Sequence, residues 1–149
     1  LHLSIRRQRQ MCIRDSSERA RMQAVFNTTA RGFGQFFESW DIILTPITAL
    51  PTPKVGTTEY LTISDNPSVH DWFANLWRFF SYTPLSNLCG IPAVSLPLGI
   101  QESGLPLGIQ AQAAQAQDGL LLQLAAQIER AIGGQWNGGR RPAVHVTQP

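Results

Sequence analysis

Apolar residues recur at three- and four-residue steps from Met22 through Val25, Phe26, Thr29, Phe33, Phe36 and Phe37 to Trp40, a spacing that predicts an amphipathic helix starting near Ser17. Gly32 and Gly34 each weaken such a helix by roughly 1 kcal/mol relative to alanine, so its aromatic face must be held by packing against a sheet. Asp41-Ile42-Ile43-Leu44-Thr45-Pro46 is a short continuous apolar run closed by proline, the pattern of a strand buried on both faces and paired in parallel. Breakers at Pro51, Pro53, Gly56 and Pro67 then predict a long surface loop over 51–66.

Ser68 followed by Asp71 forms a short version of a capping box, which opens a second helix with Val69, Trp72, Phe73, Leu76, Trp77 and Phe80 on its apolar face. This helix is expected to end between Ser81 and Pro84, and a helical turn over 85–88 to stop at Gly90, a residue type suited to a left-handed cap. Two strand-like runs, 93–98 and 105–113, flank the turn Gln101-Glu102-Ser103-Gly104 as a hairpin, with Pro97 and Pro106 restricted to edges or bulges. Last comes a helix capped by Asp118, with Leu121, Leu124, Ala125, Ile128 and Ile132 on one side and Gly133-Gly134 as its stop. Strands alternating with helices favour an α/β layered sheet over all-α or all-β designs.

Residues 1–16 lack either periodicity and hold Arg6, Arg7, Arg9 and Arg14 against Asp15 alone. They read as a non-native or disordered leader: Met11-Cys12-Ile13-Arg14-Asp15-Ser16 resembles translated sequencing-adapter read-through, with a natural basic tail as the alternative. Domain assignment is accordingly 1–16 leader and 17–149 main unit. The formal charge of +2 becomes −1 without the leader, so no basic field remains for phosphates and no nucleic-acid partner is expected. Charged residues make up 15% of the chain, below the ~25% usual in soluble domains, which points to a surface shared with a partner. Cys12 and Cys89 stand alone without metal or disulfide spacing, and no apolar run reaches the ~18–20 residues that span a bilayer; a soluble, cytoplasmic chain without a membrane partner fits both.

Nucleophile elbow, zinc-helix, phosphate-loop and dinucleotide motifs are all missing from the sequence. His2, His70 and His145 are scattered, so none has a base, nucleophile or metal-ligand partner in sequence. Lys54, the only lysine, reads as a solvated loop residue, and Cys89 as a small packing residue rather than an activated thiol. The aromatics Trp72, Phe73, Trp77, Phe79, Phe80 and Tyr82 are mostly core, with enough left over to wall an apolar pocket.

Four segments in order carry a resemblance: Asp41 to Pro46, Tyr82-Thr83-Pro84-Leu85-Ser86-Asn87-Leu88-Cys89-Gly90-Ile91-Pro92 continuing to Gly99, Gly104-Leu105-Pro106-Leu107-Gly108-Ile109-Gln110, and the Leu120 to Glu129 helix with the Trp136 to Pro142 tail. Over about Arg19 to Val144 the chain resembles the C-terminal part of the amidase signature family. The resemblance implies an α/β/α sandwich around a mixed β-sheet and hydrolysis of carboxamides by a serine nucleophile, a second serine with a cis peptide, and a lysine. No metal or cofactor is implied. The family's glycine-rich double-serine segment and lysine motif have no match here, so the chain is expected to be an inactive C-terminal fragment whose partners are the N-terminal portion of the same enzyme and a small-molecule amide.

Within it, Tyr82, Thr83 and Asn87 are the candidate pocket residues, because polar groups there lie beside aromatics and a glycine. The competing role for Asn87 is satisfaction of local backbone. Gln112, Gln115 and Gln117 form a Gln/Ala run that departs from the family pattern and leaves the substrate class open. Alternatives are a non-catalytic binding or interaction module and a protein like the subunit that supplies ammonia for transfer-RNA amidation; a homo-oligomer also remains open.

Overall fold

The computed structural model describes residues 2–54 and 68–139, with side chains from residue 15 onward. The loop expected over 51–66 falls mostly outside the described residues, as do His145 and the end of the Trp136 to Pro142 tail. In chain order the elements are α1 (His2–Phe36), β1 (Ile42–Pro46), α2 (Val69–Phe79), α3 (Thr83–Cys89), β2 (Ala93–Ile100), β3 (Pro106–Ala113), α4 (Asp118–Ala131) and a 3-10 turn (Trp136–Gly139).

The strands form one sheet in the order β1-β3-β2, with β3 in the centre. β2 and β3 make the expected hairpin, paired from Ala93↔Gln112 to Ile100↔Pro106. Its register shifts between Leu96 and Gly99, where Pro97 has no N–H to give the ladder, and Pro106 occupies the first position of its strand. β1 pairs with β3 antiparallel, Ile42↔Ala113 through Pro46↔Ile109, which corrects the expectation of a parallel strand buried on both faces. β1 is an edge strand among the described residues, and Leu44 is 60% exposed. A continuous apolar run has no periodicity to separate a two-sided strand from an edge strand, so neighbours decide the matter.

Alternation along β3 divides the sheet into two faces. On one, Ala111 and Ala113 are fully buried and pack with Leu121 of α4, joined by Ile42, Val94, Leu120 and Leu124. On the other lie Gln110 and Gln112, with Ser86 of α3 above Gln110, and α3 in turn packs on α1. Helices therefore cover both sides of the sheet, in the expected α/β layering, and every described strand pair is antiparallel.

Caps place the helix ends. Ser68 Oγ accepts from the Asp71 N–H at 3.1 Å to open α2. The reciprocal half of the capping box differs, because Asp71 Oδ2 takes the Ser68 hydroxyl instead of the backbone N–H. α2 closes at Phe79, before the expected 81–84 boundary, and the Phe79 carbonyl accepts from the Ala49 N–H at 2.9 Å, tying α2 to the segment after β1. Gly90 ends α3 in the left-handed region at φ 66°, and its N–H bonds the Ser86 carbonyl. Asp118 is the first residue of α4 and not its cap; Gln117 holds that position without a side-chain bond. Gly133 and Gly134, both at positive φ, stop that helix as expected.

α1 begins at His2, fifteen residues before the predicted Ser17. Its aromatic stripe is less covered than the periodicity implies: Met22, Val25, Phe36 and Trp40 are exposed, and Phe26, Phe33 and Phe37 half-buried. The stripe packs on itself, with Phe36 edge-to-face against Phe37 at 5.5 Å and stacked with Trp40 at 6.2 Å.

Candidate functional site

The three candidate pocket residues meet at one place. Tyr82 precedes α3 at its cap position, and Thr83 and Asn87 lie one turn apart on it, on the same side of the helix. Tyr82 and Asn87 are exposed, and Thr83 is half-buried. Pro84 in the first turn pre-sets the helical backbone, and Ile91 N–H to Ser86 carbonyl, 3.1 Å, folds the exit back toward β2.

Between Thr83 and Asn87 sits Ser86, 5% exposed, whose Oγ accepts from Gln110 Nε2 at 3.0 Å. Gln110 is 4% exposed at the middle of the central strand, in register with Thr45 on one side and Ser95 on the other. Gln112, two residues on and 1% exposed, faces the same way. Thr45 Oγ1, Gln110 Oε1 and Gln112 Nε2 are buried without hydrogen-bond partners. An inner sheet face carrying a polar row in place of an apolar one is the feature that sequence reasoning missed. Its signal was present in Gln110-Ala111-Gln112-Ala113, a strict two-residue alternation that ordinarily means polar residues facing water. Here the alanines and the glutamines are both buried.

Gly108 continues this face. A Cβ there would stand 2.7 Å from Ile47 Cγ1 and 3.3 Å from Ser95 Oγ, so the position admits only glycine without displacement of Ile47. The Ile47 N–H donates to the Gly108 carbonyl at 3.1 Å, carrying the β1–β3 ladder one residue beyond Pro46. Farther along, Gln101 clasps Thr52, accepting from its N–H at 3.2 Å and donating Nε2 to its Oγ1 at 3.0 Å.

The remaining candidates lie elsewhere. The aromatic faces of α2 remain open on one side, with Val69 73%, Phe73 46% and Trp77 50% exposed, while Trp72, Leu76 and Phe80 are half-buried. Lys54 and His70 are exposed. Cys89, at the last position of α3, is half-buried, and burial pushes its thiol above the ordinary cysteine range, which keeps it protonated and weakly nucleophilic at neutral pH. Among the described residues no three His, Cys, Asp or Glu side chains converge as a metal site would require, and no helix is long and apolar enough to cross a membrane.

This α/β unit, helices on both sides of an antiparallel sheet, is similar in sequence and fold to known proteins. Residues 2–122 match the Amidase family model, and the chain belongs to that family. Putative amidase AmiC of Mycobacterium leprae is 40% identical over 101 residues, covering 68% of this chain and 20% of that protein. The 6-aminohexanoate-cyclic-dimer hydrolase of Pseudomonas sp. (strain NK87) is 35% identical over 94 residues, 62% of this chain and 19% of that protein. The solved structure of a 6-aminohexanoate cyclic dimer hydrolase superposes with a TM-score of 0.66 at 31% identity, over 79% of this chain and 24% of that one. The chain thus spans about a fifth of the length of the curated relatives it matches.

Proposed function

We propose that this chain is the C-terminal part of a cytoplasmic serine amidase, contributing part of the sheet and one wall of the acyl pocket. The observation that carries this reading is the joint sequence and fold likeness to a 6-aminohexanoate cyclic dimer hydrolase, a TM-score of 0.66 at 31% identity over about a quarter of that enzyme's length, together with the Amidase family match. The reaction proposed for the whole enzyme is acyl transfer. A serine Oγ from the preceding portion attacks the amide carbonyl carbon and the C–N bond breaks. The amine departs with a proton, and water then cleaves the acyl-serine ester to release the acid. Backbone N–H donors hold the oxyanion, and a lysine acting with a second serine moves the proton. α3 supplies the wall: Thr83 and Asn87 present a hydroxyl and a carboxamide side by side, and Tyr82 an exposed ring. Such a mixture of a few polar groups with apolar surface suits a small carboxamide.

Two measurements test the proposal. Long-read sequencing of the source DNA upstream of the Ser17 codon is expected to continue in frame into a lysine followed by a glycine-rich double-serine segment. A frame that opens at Leu1 removes the fragment reading and favours an interaction module. The isolated chain is expected to show no amide hydrolysis, whereas the complete enzyme hydrolyses small carboxamides and loses activity to a serine-directed inactivator. Serine-dependent turnover by the isolated chain overturns the division of labour.

A further inference from the structure

α3 has seven residues, too few to hold a helical conformation or a fixed orientation without tertiary anchors. Its two ends are set by Pro84 and Gly90, which determine where the helix starts and stops but not how it is turned about its own axis. Rotation by about 20° would carry a side-chain tip at a radius of ~5–6 Å through ~2 Å, enough to alter a polar contact with a ligand. The one buried side-chain hydrogen bond that reaches α3 among the described residues is Gln110 Nε2 to Ser86 Oγ, 3.0 Å. Its donor stands on the central strand, restrained by ladders on both sides, and its acceptor is flanked in sequence by Asn87 and lies three residues after Thr83.

The rest of the polar row makes the same point through its cost. Gln110 Oε1 and Gln112 Nε2 are buried and unpaired, an arrangement less stable than an apolar pair of the same shape. A residue that held the layers together by packing alone would not need a carboxamide at this position. We propose that Gln110 is a positioning residue that, through Ser86, fixes the rotation of α3 on the sheet and so sets where Thr83 and Asn87 stand in the acyl pocket. The seating of α3 stands on geometry alone; its consequence for substrate rests on α3 being the pocket wall.

Cys89 makes the seating measurable without catalysis. It is the last residue of α3 and half-buried, so its alkylation rate reports how firmly the helix is docked. The experiment compares Gln110→Met, Ser86→Ala and the double variant in the complete enzyme, with Cys12 replaced by serine. Iodoacetamide labelling of Cys89 is followed by peptide-resolved mass spectrometry, and Leu121→Ala serves as a control on the opposite sheet face. Each single variant is expected to accelerate labelling about tenfold and the double variant no further than the larger single, as expected for two ends of one bond. KM for small carboxamides should rise about tenfold with kcat within about threefold, since the reacting groups lie elsewhere.

Unchanged labelling, additive effects of the two singles, or equal acceleration by Leu121→Ala overturns the positioning role. A loss confined to kcat overturns the pocket consequence. Absence of turnover by the unsubstituted enzyme instead defeats the amidase reading and the pocket consequence with it, while the labelling comparison still decides the seating.

Discussion

Replacing Leu121 by alanine probes the apolar face of the sheet at its tightest point. Leu121 is 3% exposed and is the buried residue of α4; the side chains directly beneath it, Ala111 and Ala113, are fully buried. Leucine-to-alanine changes in cores cost about 2–5 kcal/mol, the spread reflecting how far the surroundings collapse into the vacated space. Beneath Leu121 the alanine methyls cannot extend into the cavity, and only the partly buried Ile42, Val94, Leu120 and Leu124 at its margin are able to move. The expected cost is therefore in the middle of the range, about 3 kcal/mol. With a urea dependence of ~1.5 kcal/mol/M the unfolding midpoint would fall by roughly 2 M. The neighbouring Leu122 is 68% exposed and supplies the internal control, since its truncation should cost less than about 0.5 kcal/mol. Urea titrations followed by far-ultraviolet circular dichroism measure both. A loss below about 1 kcal/mol for Leu121→Ala, or an equal loss for Leu122→Ala, would refute the docking of α4 through this residue.

Further expectations follow from single contacts. Gly108→Ala drives a methyl to within 2.7 Å of Ile47 Cγ1 and should cost about 1–3 kcal/mol, most of it recovered by adding Ile47→Ala; absence of recovery in the double variant's melting curve would show that the clash is not the cause. Ser68→Ala removes the Oγ that accepts from the Asp71 N–H and should destabilise α2 by about 1 kcal/mol, whereas Ser68→Asn should lose only a fraction of this; amide exchange at Val69 to Asp71 reads the difference. Because burial raises the Cys89 pKa, its alkylation should reach half-maximal rate at a higher pH than that of a free thiol. The linked stability is fully present below the ordinary thiol range. It declines as pH climbs through that range toward the raised folded value, since the unfolded chain gives up the proton first. A midpoint at or below that of free cysteine would contradict the burial.

How much of this molecule could be read in advance differs between its halves. The hairpin, its two prolines, the Gly90 cap and the Gly133-Gly134 stop follow from rules that act over a few residues: proline lacks an N–H, and glycine alone enters the left-handed region without strain. Tyr82, Thr83 and Asn87 were brought together for the same reason, since Asn87 lies only five positions after Tyr82 and one helical turn after Thr83. The hydroxyl of Ser86 and the carboxamide of Gln110 are twenty-four residues apart, and no local pattern marks them as partners.

Sequence by itself therefore determined the succession of elements, the Ser68 and Gly90 caps, the Gly133-Gly134 stop and the family, because propensity, capping and turn chemistry are local and the family's segments recur in fixed order. Only the tertiary structure decided which strand neighbours which and which face of each is covered. β1 became an antiparallel strand, at the edge among the described residues, because β3 offered it a ladder of that polarity. Gln110 and Gln112 of β3 are buried instead of solvated, Gln110 against Ser86 of α3, and a two-residue alternation states that two faces differ without stating what will lie against either.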